Sequence, residues 1–198
     1  MSNGVNTSVI DGVCVVRFTR PEIRSPLSLC VLGELKRVVA DAAFDRSLKK
    51  VIFTGTGDVF ASGADLREIA EVTVETAAEF ARRGQDLMSK IAALPQTTIA
   101  AINAGCLGGA LDLALACDIR IASPNAKFAH PGTRLGIITG WGGTQRLPRL
   151  IGEAAALEMF FTASPIDAET ALRLGLVDEI VDDPLSQALS KARSDAIM

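Results

Sequence analysis

The stretch from Asn103 to Asp118 constrains the fold of this chain more than any other. It follows a run rich in β-branched residues, Thr97–Ile102, and it contains Gly105, Gly108 and Gly109 before an apolar segment begins. This order predicts a buried strand, a glycine turn and an apolar helix. The first turn of such a helix carries unpaired N–H groups and the positive end of the helix dipole. An anionic oxygen can therefore approach the backbone at this turn.

One carboxylate, Asp112, lies inside the apolar segment, three residues after Gly109. Burial raises the pKa of a carboxyl group and a helix N-terminus lowers it, so both effects are expected at Asp112. A carboxyl group with an adjusted pKa beside an anion site is typical of acid–base catalysis. The other interpretation is structural, with Asp112 as a first-turn charge that suits the helix dipole. The spacing matches neither the dinucleotide fingerprint nor the P-loop, which argues against those kinds of phosphate binding.

The composition excludes several classes of function. A net charge of −3, no tyrosine and only 5% aromatic residues leave no basic or stacking surface for nucleic acid or for an anionic membrane. The 198 residues predict one domain. Cys14, Cys30, Cys106 and Cys117 lack C-x-x-C spacing, so we predict neither a metal site nor a disulfide framework. No apolar leader or membrane span is visible, which predicts a cytoplasmic protein without a membrane partner.

Strand and helix patterns alternate along the chain. A β-hairpin is predicted at Thr7–Ile10 and Val13–Phe18, joined by a type I′ turn at Asp11-Gly12, and an amphipathic helix follows Ser25-Pro26. The later predicted elements are strand Lys50–Thr54, helix Val74–Leu94, strand Asp118–Ala122, a helix over Gln145–Ile151, helices Glu153–Thr162 and Asp167–Leu174, strand Val177–Val181, and a charged amphipathic tail over Leu185–Ile197. This alternation predicts a layered α/β fold with sites at strand-to-helix loops.

Two further segments are candidates for chemistry. Asp58–Asp65 is predicted to be a loop, and its small residues allow a ligand to approach the backbone before a helix starts near Ala64. Phe128–Gly136 is predicted to be irregular and holds the only histidine, His130. A lone histidine is more often structural than catalytic, and no partner residue lies near it in the sequence. Trp141 is predicted either to line an apolar pocket or to fill the core.

Five motifs together resemble the enoyl-CoA hydratase/isomerase, or crotonase, superfamily. They occur in the family's order at residues 60–69, 100–103, 104–112, 116–120 and 142–149, and the resemblance runs from about Val5 to Val181. It implies a spiral of repeated β-β-α units that binds acyl-CoA thioesters as substrates, holds no covalent cofactor, and assembles as a homotrimer or a dimer of trimers. Residues 1–183 would form the acyl-CoA-binding core. Residues 184–198 would form a short helical tail, with the family's C-terminal helical segment largely missing.

The resemblance also implies roles for individual residues. The backbone N–H groups of Ala64 and Gly109 would form an oxyanion hole for a thioester enolate, and Asp112 would act as acid and base. Fixed donors of this kind suit an enolate because its negative oxygen develops in a water-poor site. The residues implied to bind substrate are Ala64, Asp65, Leu66, Arg67, Gly109, Gly132 and Trp141.

The sequence departs from the family pattern where acid–base groups are expected. Typical hydratases carry glutamates at the positions of Asp112 and Gly132, so ordinary hydratase activity is not expected and we predict a lyase or isomerase. Dienoyl-CoA isomerases resemble the chain at Asp112, but their other carboxylates align with Gly132 and Gly140. Naphthoate-synthase-like members share the glycine at Gly132 and use bound bicarbonate, but they carry a further aspartate where this chain has Thr139.

Three hypotheses follow from these departures. In the first, His130, the Gly132 backbone and a bound water or small anion fill the vacant acid position of an acyl-CoA enzyme. In the second, the chain is an acyl-CoA-binding protein without turnover. In the third, it is a subunit whose pocket is completed by another chain.

Overall fold

The computed structural model describes residues 4–191. The strands in this range are β1 (Val5–Ile10), β2 (Val13–Phe18), β3 (Pro26–Leu27), β4 (Lys50–Thr54), β5 (Val59–Ala61), β6 (Gly63–Ala64), β7 (Thr97–Ile102), β8 (Gly105–Leu107), β9 (Ile119–Ala122), β10 (Lys127–Ala129), β11 (Ile166–Asp167) and β12 (Glu179–Ile180). The α-helices are α1 (Leu29–Phe44), α2 (Leu66–Ala70), α3 (Val74–Ala92), α4 (Gly109–Ala116), α5 (Gly143–Ile151), α6 (Glu153–Thr162), α7 (Ala168–Leu174) and α8 (Pro184–Ser190). Within residues 4–191, no helix has the length and apolar character needed to cross a bilayer.

The longer strands form one six-stranded sheet in the order β1-β2-β4-β7-β9-β12. The hairpin of β1 and β2 is antiparallel, and every other pair in this sheet is parallel. Asp11 and Gly12 between β1 and β2 both have positive φ, 48° and 76°, which is the geometry of a type I′ turn. The predicted hairpin and the central strands are therefore confirmed.

The short strands form a second sheet in the order β11-β10-β8-β5, and β3 pairs with β6. A long strand, a short strand and then a helix recur at β4 and β5, at β7 and β8, and at β9 and β10. This recurrence confirms the predicted α/β fold of β-β-α units. The predictions of a simple loop at Asp58–Asp65 and an irregular segment at Phe128–Gly136 were wrong in part, because β5, β6 and β10 lie there. Strands of two or three residues are too short to show alternation in sequence, and tertiary pairing decides them.

Helix α4 lies at the centre of the molecule. Seven of its residues are buried, including Asp112, and it contacts α3, α5, β6 and β8. The surrounding core includes the fully buried side chains of Leu87, Met88 and Phe128. The apolar segment of the sequence therefore places one carboxylate deep inside the protein.

Helix α8 packs on the face of the six-stranded sheet opposite α4. Ala188 is buried there with Val15 and Ile99. The Lys50 ammonium group donates hydrogen bonds to backbone carbonyls at the end of α8, including that of Ala188 at 3.3 Å. The predicted tail thus begins as a packed helix, and its residues 192–198 lie outside the described residues.

Arg120 joins β9 to the segment before β12, and its removal provides a test of the core. Its guanidinium donates to the carbonyls of Cys117 at 2.7 Å and Leu176 at 2.9 Å, and it pairs with Asp178 at 3.3 Å. Arg120→Met is expected to lower the free energy of unfolding by about 1–3 kcal/mol, because buried carbonyls lose their donors. Urea denaturation measures this loss. The exposed Arg173→Met should change stability much less, and equal effects would contradict the assignment.

Candidate active site

A cavity of about 280 Å³ lies at the N-terminal end of α4. Its apolar walls come from α2, α3 and the segment that follows β10, and they include Leu66, Ile69, Phe80, Leu135, Ile137 and Ile138. Its remaining lining includes six residues singled out from the sequence: Ala64, Gly109, Asp112, His130, Gly132 and Trp141. The fold therefore brings these separate segments to one apolar cavity.

The two glycine-containing loops contact each other closely at this cavity. Gly63 has a φ of +88°, and a Cβ at this position would lie 2.6 Å from the Gly109 nitrogen. A Cβ on Gly109 would in turn lie 3.4 Å from the Ala64 nitrogen. Gly109 is the first residue of α4, so its N–H has no acceptor within that helix. The amides of Ala64 and Gly109 consequently lie side by side.

Trp141 fixes the position of this helix end. Its ring is 3% exposed and packs against glycines on two helices. A Cβ on Gly84 would lie 2.2 Å from the ring, and one on Gly109 would lie 2.4 Å from it. The two interpretations of Trp141 are therefore compatible, because the ring fills the core and also lines the cavity.

The Asp112 carboxylate is buried, and its two oxygens have different surroundings. Oδ2 accepts a hydrogen bond from the Thr139 hydroxyl, whereas Oδ1 has no hydrogen-bond partner among residues 4–191. Burial raises the pKa of Asp112 to about 6. The Thr139 hydroxyl, the amides of Trp141 and Gly143, and the Arg146 charge lower it in part. Asp112 is therefore a group that changes its charge near neutral pH.

His130 lies beside the free oxygen of Asp112. Its Nε2 is 3.7 Å from Asp112 Oδ1, and its ring is 3% exposed and 5.2 Å from the ring of Phe160. Neither ring nitrogen has a hydrogen-bond partner in the described part of the chain. Burial lowers the pKa of His130 to about 4, so the imidazole is neutral at pH 7. No residue near His130 in the sequence could be identified as its partner. The fold brings Asp112 next to it.

A glycine allows these polar groups to converge. A Cβ on Gly143 would lie 2.2 Å from Asp112 Oδ1, 2.8 Å from Thr139 and 3.0 Å from His130. Any larger residue at the start of α5 would push the carboxylate, hydroxyl and imidazole apart. Gly143 belongs to the motif at residues 142–149 that carries the resemblance, and no sequence signal indicates its contact with Asp112.

The backbone closes tightly around Gly132. A Cβ on Gly132 would lie 2.8 Å from the carbonyl oxygen of Ile137, and the Ile137 N–H donates to the Gly132 carbonyl at 3.0 Å. The chain from Pro131 to Leu135 forms a 3-10 turn that produces this closure. A side chain at position 132 therefore requires the loop to move, and Asp112 is the only carboxylate of the described residues that lines this cavity.

Asp65 and Arg67 occupy a neighbouring cleft. The Asp65 carboxylate accepts from the Arg67 N–H at the start of α2 and pairs with the Arg67 guanidinium at 2.6 Å. Both residues line a cleft of about 490 Å³ that shares Val72 and Phe80 with the cavity. The implied substrate-binding residues are thus divided between two adjoining spaces, and the Asp65 side chain caps α2.

No cluster of three potential metal ligands occurs within residues 4–191. Three of the cysteines, Cys14, Cys106 and Cys117, are buried as free thiols, and Cys30 is exposed. The polar residues of this part of the chain that line the cavity are Ser62, Asp112, His130 and Thr139, beside backbone amides.

The sequence matches the family described as "Enoyl-CoA hydratase/isomerase" over residues 9–196. It is 40% identical over 171 residues to a short-chain-enoyl-CoA hydratase of Clostridium acetobutylicum, covering 86% of this chain and 66% of that protein. It is 41% identical over 170 residues to a crotonyl-CoA hydratase of Syntrophomonas wolfei, covering 85% of this chain and 65% of that protein. The chain thus spans just under two thirds of the length of these two relatives.

Solved structures give the same result for the fold. An enoyl-CoA hydratase from Bacillus anthracis superposes with a TM-score of 0.89 at 36% sequence identity, covering 94% of this chain and 74% of that chain. DspI from Pseudomonas aeruginosa superposes with a TM-score of 0.88 at 33% identity, covering 94% of this chain and 77% of that chain.

Proposed function

Because the chain belongs to the enoyl-CoA hydratase/isomerase family, we propose that it is an enzyme that forms and quenches the enolate of an acyl-CoA thioester. One observation carries the proposal. The buried carboxylate of Asp112, whose pKa is raised to about 6, lines the same apolar cavity as Ala64 and Gly109, whose amides lie side by side. A base and fixed hydrogen-bond donors at one water-poor site suit removal of a proton next to a carbonyl.

In the proposed reaction, the thioester oxygen accepts hydrogen bonds from the Ala64 and Gly109 amides. Asp112 takes a proton from the acyl chain, and the electron pair of the broken C–H bond moves onto the thioester oxygen. Each such backbone donor is typically worth roughly 2.7–4 kcal/mol of barrier, because negative charge develops on that oxygen. Asp112 then returns the same proton to a carbon of the chain. The substrate therefore gains and loses no atom overall, and the product is its isomer.

A single carboxylate favours isomerisation among the family's reactions. Moving a double bond needs one group that accepts a proton at one carbon and returns it at another. Ordinary hydration in this family is expected to use a second carboxyl group, and a side chain at Gly132 would begin only 2.8 Å from the Ile137 carbonyl oxygen. We therefore propose double-bond isomerisation, or a related lyase reaction, ahead of simple hydration.

The acyl group is proposed to enter the cavity between α2, α3 and the segment after β10. Ile137 and Ile138 are partly exposed at its wall, and together with Leu135 they offer an apolar surface to a hydrocarbon chain. The CoA portion is proposed to lie along the segment from Ala64 to Arg67, which borders both the cavity and the cleft. The names of the two relatives, a short-chain-enoyl-CoA hydratase and a crotonyl-CoA hydratase, support a short acyl chain.

The closure at Gly132 also favours a second candidate, an acyl-CoA-binding protein without turnover. Equilibrium binding of saturated and unsaturated acyl-CoA esters, measured beside product formation from the unsaturated esters, separates the two candidates. Turnover supports the enzyme. Binding without any proton transfer would support the second candidate.

The pH dependence of turnover tests the role of Asp112. If its ionised form is the base, kcat/KM is expected to fall about tenfold for each pH unit below about pH 6, because kcat/KM reports the free enzyme and the pKa of Asp112 there is about 6. Steady-state rates between about pH 4.5 and about pH 8.5 give this limb, with circular dichroism as the control for folding. A rate that stays nearly level down to about pH 4.5, as expected for a carboxyl group with an ordinary pKa near 4, would contradict the role.

A further inference from the structure

Three buried polar atoms converge at the inner end of the cavity without partners. Asp112 Oδ1 and both ring nitrogens of His130 make no hydrogen bond to any residue from 4 to 191. His130 Nε2 faces Oδ1 at 3.7 Å, and both side chains are at most 3% exposed. A buried carboxylate oxygen that has no hydrogen-bond donor destabilises the folded protein once the carboxylate is ionised. The imidazole is the nearby side chain that can supply that donor.

We propose that His130 is the positioning residue of Asp112: the neutral imidazole carries its proton on Nε2 and donates it to Oδ1 when the carboxylate is ionised. This proposal rests on the proposed function, because it assigns the group that orients the base. His130 thereby acts through Asp112 and need not touch the substrate. It replaces our hypothesis that His130 fills a vacant acid position, since a neutral imidazole at pH 7 is a poor proton source.

Among side chains, the geometry favours this pair, and the Trp141 and Gly143 amides are the backbone donors near the carboxylate. Thr139 already holds Oδ2, so the carboxylate plane is set and Oδ1 is directed to the imidazole. Closing 3.7 Å to a hydrogen bond of about 3.0 Å needs a movement of about 0.7 Å. Catalytic hydrogen bonds are often long before substrate is bound. Gly143 leaves room for that movement, because it has no side chain between the two groups.

The charged and titratable groups around Asp112 come from three segments. The guanidinium of Arg146 on α5 acts on the carboxylate from a distance and lowers its pKa. The thiol of Cys106 on β8 is buried, which raises its pKa well above the ordinary value, so it stays neutral. His130 precedes the 3-10 turn and is the group that faces Oδ1. Above about pH 6 the one proton between the two groups is thus the N–H of the neutral imidazole, and Asp112 is ionised.

The only histidine of the chain makes a direct test possible. In untagged protein with labelled imidazole nitrogens, NMR reports one histidine whose protonated nitrogen can be identified without turnover. At pH 7 to 8 we expect a neutral ring protonated on Nε2. An imidazolium, or a neutral ring protonated on Nδ1, would overturn the proposal.

Two substitutions provide the second test. His130→Gln keeps an N–H donor near the position of Nε2, and His130→Leu removes it at similar size. With aspartate labelled at Cγ, the Asp112 titration is expected to move up by about one pH unit or more in His130→Leu, because hydrogen bonds to a charged group favour the ionised form. In His130→Gln it should stay within a few tenths of a unit. An unchanged titration in His130→Leu would overturn the proposal.

Turnover separates this proposal from the proposed function. In His130→Leu the acid limb of the rate profile is expected to move up by the same amount as the titration, so that a shift of one unit lowers activity about tenfold at pH 5 and about twofold at pH 7, and activity recovers at higher pH. A loss of equal size at every pH would indicate a merely structural role and overturn the positioning role. If the NMR results hold while wild-type protein shows no turnover, the positioning of Asp112 stands and the enzymatic function fails.

Discussion

Replacing Asp112 with asparagine is expected to remove proton transfer and to make the folded protein more stable. General acid–base groups contribute about 10²- to 10⁴-fold to a rate, so kcat should fall by at least about 10²-fold. Asparagine keeps the size of the side chain and can still accept from Thr139. The loss should therefore appear in kcat, with the binding of acyl-CoA esters largely unchanged.

The gain in stability follows from the raised pKa. Asp112 has a pKa of about 6 in the folded protein and an ordinary value of 3.8 when unfolded. A raised folded pKa stabilises the folded state below the unfolded value, and this contribution is lost as pH rises through about 6. At pH 8 the buried charge costs about 3 kcal/mol, since each pKa unit corresponds to about 1.4 kcal/mol. The neutral amide introduced by Asp112→Asn avoids this cost.

Urea denaturation at pH 4 and pH 8 measures the difference. The stability advantage of Asp112→Asn over wild type should be larger at pH 8 than at pH 4. The exposed Asp58→Asn serves as the matched control and should show little change. If the stability difference between Asp112→Asn and wild type does not grow with pH, ionised Asp112 does not destabilise the folded protein.

Gly109→Ala is expected to give the second large loss. A Cβ on Gly109 would lie 2.4 Å from the six-membered part of the Trp141 ring, which is itself packed against Gly84. Either the ring or the first turn of α4 must shift, and the Gly109 amide moves relative to that of Ala64. Losing one oxyanion donor costs about 10²- to 10³-fold in kcat.

Gly105→Ala is the control for this substitution. Gly105 lies in β8, four residues earlier, and a Cβ there meets nothing within 4 Å. Steady-state rates should fall in Gly109→Ala and not in Gly105→Ala, with thermal denaturation confirming that both variants fold. Equal rates in the two variants would show that the position of the Gly109 amide does not matter for turnover.

Much of the fold could be predicted from local pattern. The hairpin, the buried strand Lys50–Thr54 and the strand and helix around Gly109 carry strong alternation, β-branched runs and turn residues. The short strands β5, β8 and β10 could not be predicted, because each has three residues and is decided by pairing between distant segments. The second sheet and its contribution to the cavity wall therefore emerge only in three dimensions.

The site could likewise be predicted only where a local pattern marks a residue. Asp112 stands out as a carboxylate in an apolar helix, and the resemblance supplies Ala64 and Gly109. Thr139 and His130 could not be linked to Asp112 from sequence, since they lie 27 and 18 residues away and only the packing of α4 against the segment after β10 joins them. Gly132 is visible in the sequence as a departure from the family pattern, and only the structure shows that a side chain there would need the Ile137 carbonyl to move.

The most direct test of enolate formation is exchange of the proton next to the thioester carbonyl into deuterated water. A saturated acyl-CoA is incubated at pH 8, where Asp112 is ionised, with wild-type protein and with Asp112→Asn, and deuterium incorporation is followed by mass spectrometry. We predict incorporation with wild-type protein and at least about 10²-fold slower incorporation with Asp112→Asn, although both bind the ester. Tight binding to wild-type protein without incorporation, or equal incorporation with both proteins, would contradict enolate chemistry at Asp112.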